Sequence, residues 1–150
     1  MKTIVVIILF VLMCIPFYSC TDKEGFARKM YNEALTLQQD NQSEAMVIYK
    51  EIVEKYPETQ TSIYANEKVF AYNGYLKVIR KNIISALNLF QLDNGRYPTT
   101  EEGLTSLVSN SAELKAWEGP YIFVKFKPYI NDFTYTHNSG SDYQLLIKSL

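Results

Sequence analysis

Thiols and imidazoles are scarce in this chain. Its two cysteines, Cys14 and Cys20, fall in the first twenty residues, and His137 is the single histidine. Everything after Cys20 is therefore without a disulfide, a thiolate nucleophile or a Cys/His zinc pattern. A Ser-His-acid triad would have to use His137, and no nucleophile motif points to it. His137 reads instead as an exposed residue at the end of a strand. No glycine-rich phosphate loop occurs. Charge of either sign is not in excess: the net charge is −1. The basic stripe expected of a nucleic-acid binder is missing, which excludes nucleic acid as a partner. No cofactor or metal site is expected, and the chain does not read as an enzyme.

What is present is apolar and aromatic. Hydrophobic residues make up 47% of the chain, with twelve tyrosines and eight phenylalanines, enough for a core. Ile4 to Pro16 is an almost unbroken apolar run behind Lys2. It is shorter than the roughly 20 residues that cross a bilayer and has the proportions of a secretory signal. An uncleaved anchor helix is the competing reading of the same run.

The run ends in Phe17-Tyr18-Ser19-Cys20. This end resembles the lipobox of bacterial lipoproteins, an aliphatic and a small residue, then Gly, Ala or Ser, then Cys. The resemblance implies residues 1–19 as a signal peptide, cleavage before Cys20, diacylglycerol on its sulfur and acylation of the new amine. Several acyl chains give stable anchoring where one is marginal. Residues 20–25 then form a lipidated tether. Thr21 is not the Asp that marks inner-membrane retention in such proteins, so a place on the outer membrane, facing the periplasm, is expected.

From Phe26 the apolar positions Phe26, Met30, Ala34 and Leu37 recur at helical spacing. Asp40 to Ser43 interrupts them, with Asn41 or Ser43 able to cap a second helix. Its stripe is Ala45, Ile48, Tyr49, Ile52, Val53 and Tyr56, and Pro57 stops it. Two such helices make an αα-hairpin. The Ala45, Tyr49 and Pro57 spacing resembles the second helix of a tetratricopeptide repeat, so residues 26–67 read as one repeat-like hairpin. A single repeat does not bury a core alone. It is expected to pack on the rest of the chain or on a protein partner.

A third helix, capped within Thr59–Thr61, carries Val69, Tyr72, Leu76, Ile79, Ile83, Ala86 and Phe90 at alternating spacings of three and four. Gly74 marks a place for a bend, and Asn94-Gly95 a stop. Thr99 and Glu102 have capping-box spacing, which predicts a short helix to about Ser109. Tyr121–Phe126, Phe133–His137 and Tyr143–Ile147 are rich in aromatic and β-branched residues and predict three strands. Asn131-Asp132 and Asn138–Asp142 predict turns. Arg96 and Trp117 are assigned to structure, in a demanding turn and against the sheet.

The stretch Asp93-Asn94-Gly95-Arg96-Tyr97-Pro98-Thr99-Thr100-Glu101-Glu102-Gly103-Leu104, with Trp117-Glu118-Gly119-Pro120-Tyr121-Ile122 and Pro128–Tyr135, strongly resembles the major pseudopilin of type II secretion systems. The resemblance implies an α+β, pilin-like domain over residues 68–150, a long helix packed on a small antiparallel sheet. Such proteins begin with a prepilin leader and a polymerising helix; here a lipoprotein-like signal and a hairpin stand in that place. Their calcium ligands lie in a C-terminal loop that this chain, ending at Leu150, is expected to lack. The combination implies a lipid-anchored, non-catalytic interaction or assembly component linked to secretion or pilus-like machinery. A genuine pseudopilus subunit with an atypical N-terminus and a ligand-binding envelope protein are the alternatives.

Overall fold

The computed structural model describes residues 22–139 and 142–148. Its elements are α1 (Lys23–Leu37), α2 (Gln42–Lys55), α3 (Gln60–Asn94), 3-10 segments at Leu104–Leu107 and Val124–Asp132, then strands β1 (Phe133–Ser139) and β2 (Asp142–Ile147). The class is α+β, with a long helix and a small antiparallel sheet, as expected. Two compact units are present, divided after Val69.

In the first unit, local chemistry fixes each helix start. The Asp22 carboxylate accepts from the Gly25 N–H at 2.8 Å and caps α1. Asn41 caps α2: its side-chain oxygen accepts from the Glu44 N–H at 3.3 Å, and its amide donates back to the Glu44 carboxylate at 2.9 Å. Thr59 caps α3, accepting from the Ser62 N–H at 3.1 Å. The Glu24 carboxylate accepts the Thr61 hydroxyl at 2.6 Å, and Lys23 pairs with Glu58, so the start of α1 is tied to the start of α3.

The α1–α2 seam departs from expectation. Of Phe26, Met30, Ala34 and Leu37, only Ala34 is buried, and Phe26 is exposed. The helix buries Ala27 and Ala34 instead, one full heptad apart. Phe26, one residue from Ala27, lies about 100° around the helix from it and so faces solvent. On α2 the buried set is Ala45, Met46, Tyr49 and Ile52. The Tyr49 ring lies 5.1 Å from that of Tyr31, and its hydroxyl donates to Gln38 at 3.2 Å. Burial pushes the Tyr49 phenol up to about 12.

The second unit is organised by α3. Tyr72, Leu76, Ile79, Ile83, Ala86, Leu87 and Phe90 are all buried. The helix runs unbroken through Gly74, where a bend was expected, and nothing lies within 4 Å of where a side chain would be. It stops at Gly95, whose φ of +69° is the left-handed geometry that glycine adopts without strain.

Three sequence expectations fail here, each for a reason. The predicted helix to Ser109 is reduced to a turn and the 3-10 segment Leu104–Leu107, because Gly103 at φ +57° breaks helical geometry. Tyr121–Phe126 is not a strand. Pro120 and Pro128 bracket it without N–H donors, and the Tyr121 and Ile122 N–H groups both bond the Leu107 carbonyl, at 2.9 and 3.3 Å. The chain coils instead into the 3-10 segment Val124–Asp132. That segment also absorbs Asn131-Asp132, which forms its end rather than a turn.

The sheet has two strands, β1 antiparallel to β2, with Phe133 opposite Ile147 and Tyr135 opposite Leu145. Phe133, Tyr135 and Leu145 point inward, while Thr134 and Leu146 face solvent, the period-2 alternation of a half-buried ribbon.

Truncating the buried seam should separate it from its exposed neighbour. Leu76→Ala is expected to lower stability by about 2–5 kcal/mol and Val78→Ala, on the outer face, by about 0.5 kcal/mol or less, read from urea-denaturation midpoints.

Candidate functional site

Cys20, the one residue assigned chemistry from sequence, lies outside the described residues. What the structure does place is the turn chemistry that follows α3.

The Glu102 carboxylate is its centre. Arg96 grips it with both guanidinium nitrogens, each at 2.6 Å. The Thr99 N–H donates to the same carboxylate at 2.7 Å, and the Thr99 hydroxyl accepts the Glu102 N–H at 3.2 Å, completing the capping box. Arg96 also reaches the Tyr97 carbonyl at 3.0 Å. Arg96 pairing and the Thr99 bond hold the Glu102 carboxyl below its ordinary range, against partial burial, which acts the other way. This carboxylate is thus fully engaged as an acceptor and is not poised as a general acid or base.

Around it the tyrosines act as struts. The Tyr135 hydroxyl, on β1, donates to the Pro98 carbonyl at 2.7 Å, and Tyr97 donates to Asn88 on α3 at 3.1 Å. Tyr97 and Tyr143 meet edge to face at 4.7 Å. Trp117 donates its indole N–H to the Ser106 carbonyl at 2.8 Å, and its ring meets Tyr121 at 5.5 Å. Tyr121 in turn stands against Phe90 at 5.5 Å. A side chain at Gly119 would meet the Trp117 ring at 2.5 Å and Tyr121 at 2.9 Å, so the Trp-Glu-Gly-Pro-Tyr run needs glycine for packing. Arg96 lies in the turn as expected; Trp117, expected against the sheet, packs instead on Tyr121 and the Ser106 carbonyl, because Tyr121 is not in a strand. The partners Glu102 and Ser106 were not anticipated. Opposite charges flanking Pro98 within seven residues were the available signal for the first.

His137 is half-exposed, its backbone N–H donating to Thr100 at 3.0 Å. Asn138 donates to Asp142 at 3.3 Å across the strand connection. Among the described residues no group of three or more His, Cys, Asp or Glu could hold a metal ion. Nor is any described helix long and apolar enough to cross a membrane.

The remaining candidate is a surface. On the outer face of α3, Phe70, Val78, Leu89 and Leu92 are exposed, falling about half a turn from the buried seam. Phe123 and Val124 are also exposed. Apolar residues repeated along one exposed helix face suit contact with another protein.

Comparison with known proteins finds relatives of the C-terminal part of the chain. The family described as Type II secretion system (T2SS), protein G matches residues 66–150. The type II secretion system core protein G of Klebsiella pneumoniae is 48% identical over 66 residues, 41% of this chain and 40% of the relative. The chain thus spans about two fifths of the length of that curated relative. No solved structure matches.

Glu102→Gln keeps an acceptor for Thr99 but removes the charge that Arg96 grips. At neutral pH it should cost about 1–2 kcal/mol, since Arg96 remains partly solvated. The sign with pH follows from the lowered carboxyl. The folded state binds this proton less tightly than the unfolded chain, so its contribution is present above the ordinary value near 4.5 and is lost as pH falls through the lower folded value. The gap between parent and variant should close over that acidic window in urea titrations.

Proposed function

Because the chain belongs to the type II secretion system protein G family, we propose that it is a lipid-anchored, non-catalytic assembly component of a secretion or pilus-like machine in the cell envelope. In this reading residues 1–19 are a signal peptide, Cys20 carries the lipid, residues 20–25 are the tether, residues 26–67 form a repeat-like hairpin that offers a partner surface, and residues 68–150 are the pseudopilin-like domain. The outer membrane, on its periplasmic side, is the expected address.

The observation that carries the proposal is the use of the family-matching residues. Arg96, Glu102, Trp117 and Tyr135 bond backbone or one another, and Tyr97 bonds the Asn88 side chain, so the motif builds a shape rather than a reaction centre. That shape leaves the outer face of α3 available to another protein. The apolar run before Ser19-Cys20 supports the lipid anchor.

A second reading, a genuine pseudopilus subunit, draws on the same exposed face, which would then pack against other copies. Metabolic labelling with an alkyne fatty acid separates the two. The parent is expected to take up label and fractionate with membranes, and Cys20→Ala to lose the label. An unlabelled parent that copurifies with filaments would favour the subunit reading, and label retained in Cys20→Ala would sink the assignment of Cys20.

A further inference from the structure

We propose that the segment Phe123–Lys127 is a membrane-contact tip, taking up the surface of a bilayer that contains anionic lipid. Phe123 and Val124 are adjacent and 70% and 71% exposed, the shape of an apolar point rather than a core-facing pair. Behind them Phe126 is buried and meets the Phe123 ring at 6.2 Å, so the point stands on a packed base. Tyr75 and Tyr129, 5.1 Å apart and edge to face, extend that base with rings of the amphipathic kind that suits a membrane interface.

The charge within the segment is of one sign. Lys125 lies over the Phe123 and Phe126 rings, 5.8 and 5.0 Å from their centroids, and Lys127 is exposed beside it. Neither lysine forms an ion pair with a described residue. Gly119 to Asn131 contains no acidic residue. The flanking carboxylates are Glu118, exposed five residues before Phe123, and Asp132, which is buried and accepts the Tyr72 hydroxyl at 2.8 Å. An apolar tip flanked by cations with flexible stems matches a surface that is hydrocarbon beneath and anionic above. The inference rests on the reading of the chain as held at a membrane; it adds which part of the folded domain meets the lipid.

The test uses the full chain on vesicles of phosphatidylcholine and phosphatidylglycerol with brominated acyl chains, which quench only immersed indoles. F123W adds a second reporter to the parent's single tryptophan, Trp117. The added emission is expected to be quenched in anionic vesicles, and K125Q/K127Q to lower the immersed-to-withdrawn ratio about 25-fold, about fivefold for each lysine. Flotation with the vesicles reports attachment separately. A chain that floats with no added quenching in F123W overturns the tip and leaves the anchor standing. Quenching indifferent to both lysines overturns it too, as does F123W emission shielded from a water-soluble quencher but not reached by bromine, which would mark a protein partner on the tip. A chain that floats only on anionic vesicles and is quenched there, without fatty-acid label, upholds the tip and removes the anchor. Failure to float overturns both.

Discussion

The buried seam of α3 sets the terms for the second unit. From Tyr72 to Phe90 seven apolar side chains fall on one face of a 35-residue helix, and all are buried. The large aliphatic and phenylalanine side chains each contribute about 1.5–3 kcal/mol, and only if something covers them. A broad sheet is the usual cover for such a helix, yet only two strands occur among the described residues. Much of the rest is irregular backbone, which brings polar groups with it that need partners.

Long polar side chains resolve that conflict. Tyr135, Trp117 and Arg80 donate to the carbonyls of Pro98, Ser106 and Leu145, acceptors that are not all taken up by a wider sheet. Tyr72 places its hydroxyl on buried Asp132 while its ring joins the seam. Among the described residues no buried side-chain nitrogen or oxygen lacks a partner. The abundance of tyrosine follows: it is a residue that can cover an apolar helix with its ring and serve irregular backbone with its hydroxyl. The Arg96–Glu102 grip works at the same task from the other end, holding the chain as it leaves α3 so that Tyr97 and Pro98 are buried.

What could be read from sequence was whatever depends on local spacing. The α3 seam, the Asn94-Gly95 stop, the Thr99–Glu102 box and the β1–β2 ribbon are all set by residues within a few positions of one another. What escaped depends on partners far along the chain. Tyr121–Phe126 has strand-forming residues, but a strand needs a neighbour, and Leu107 takes its first two N–H groups. Phe26 is large and apolar, but Ala27, one residue on, is the one that faces inward.

The outer face of α3 gives the sharpest constraint on how the domain meets others. Read along the helix it runs Phe70, Gly74, Val78, Lys81, Ser85, Leu89, Leu92. A coiled-coil seam would keep apolar residues at every step. Here the ends are apolar and the middle is small or polar, with the Ser85 hydroxyl turned back to the Lys81 carbonyl at 3.2 Å. A long partner helix lying parallel along the whole face would strand Lys81 against hydrocarbon. Contact at the two ends, with water or a polar group between, leaves that charge solvated. The face therefore suits discrete contacts at its two ends better than one continuous helical zipper.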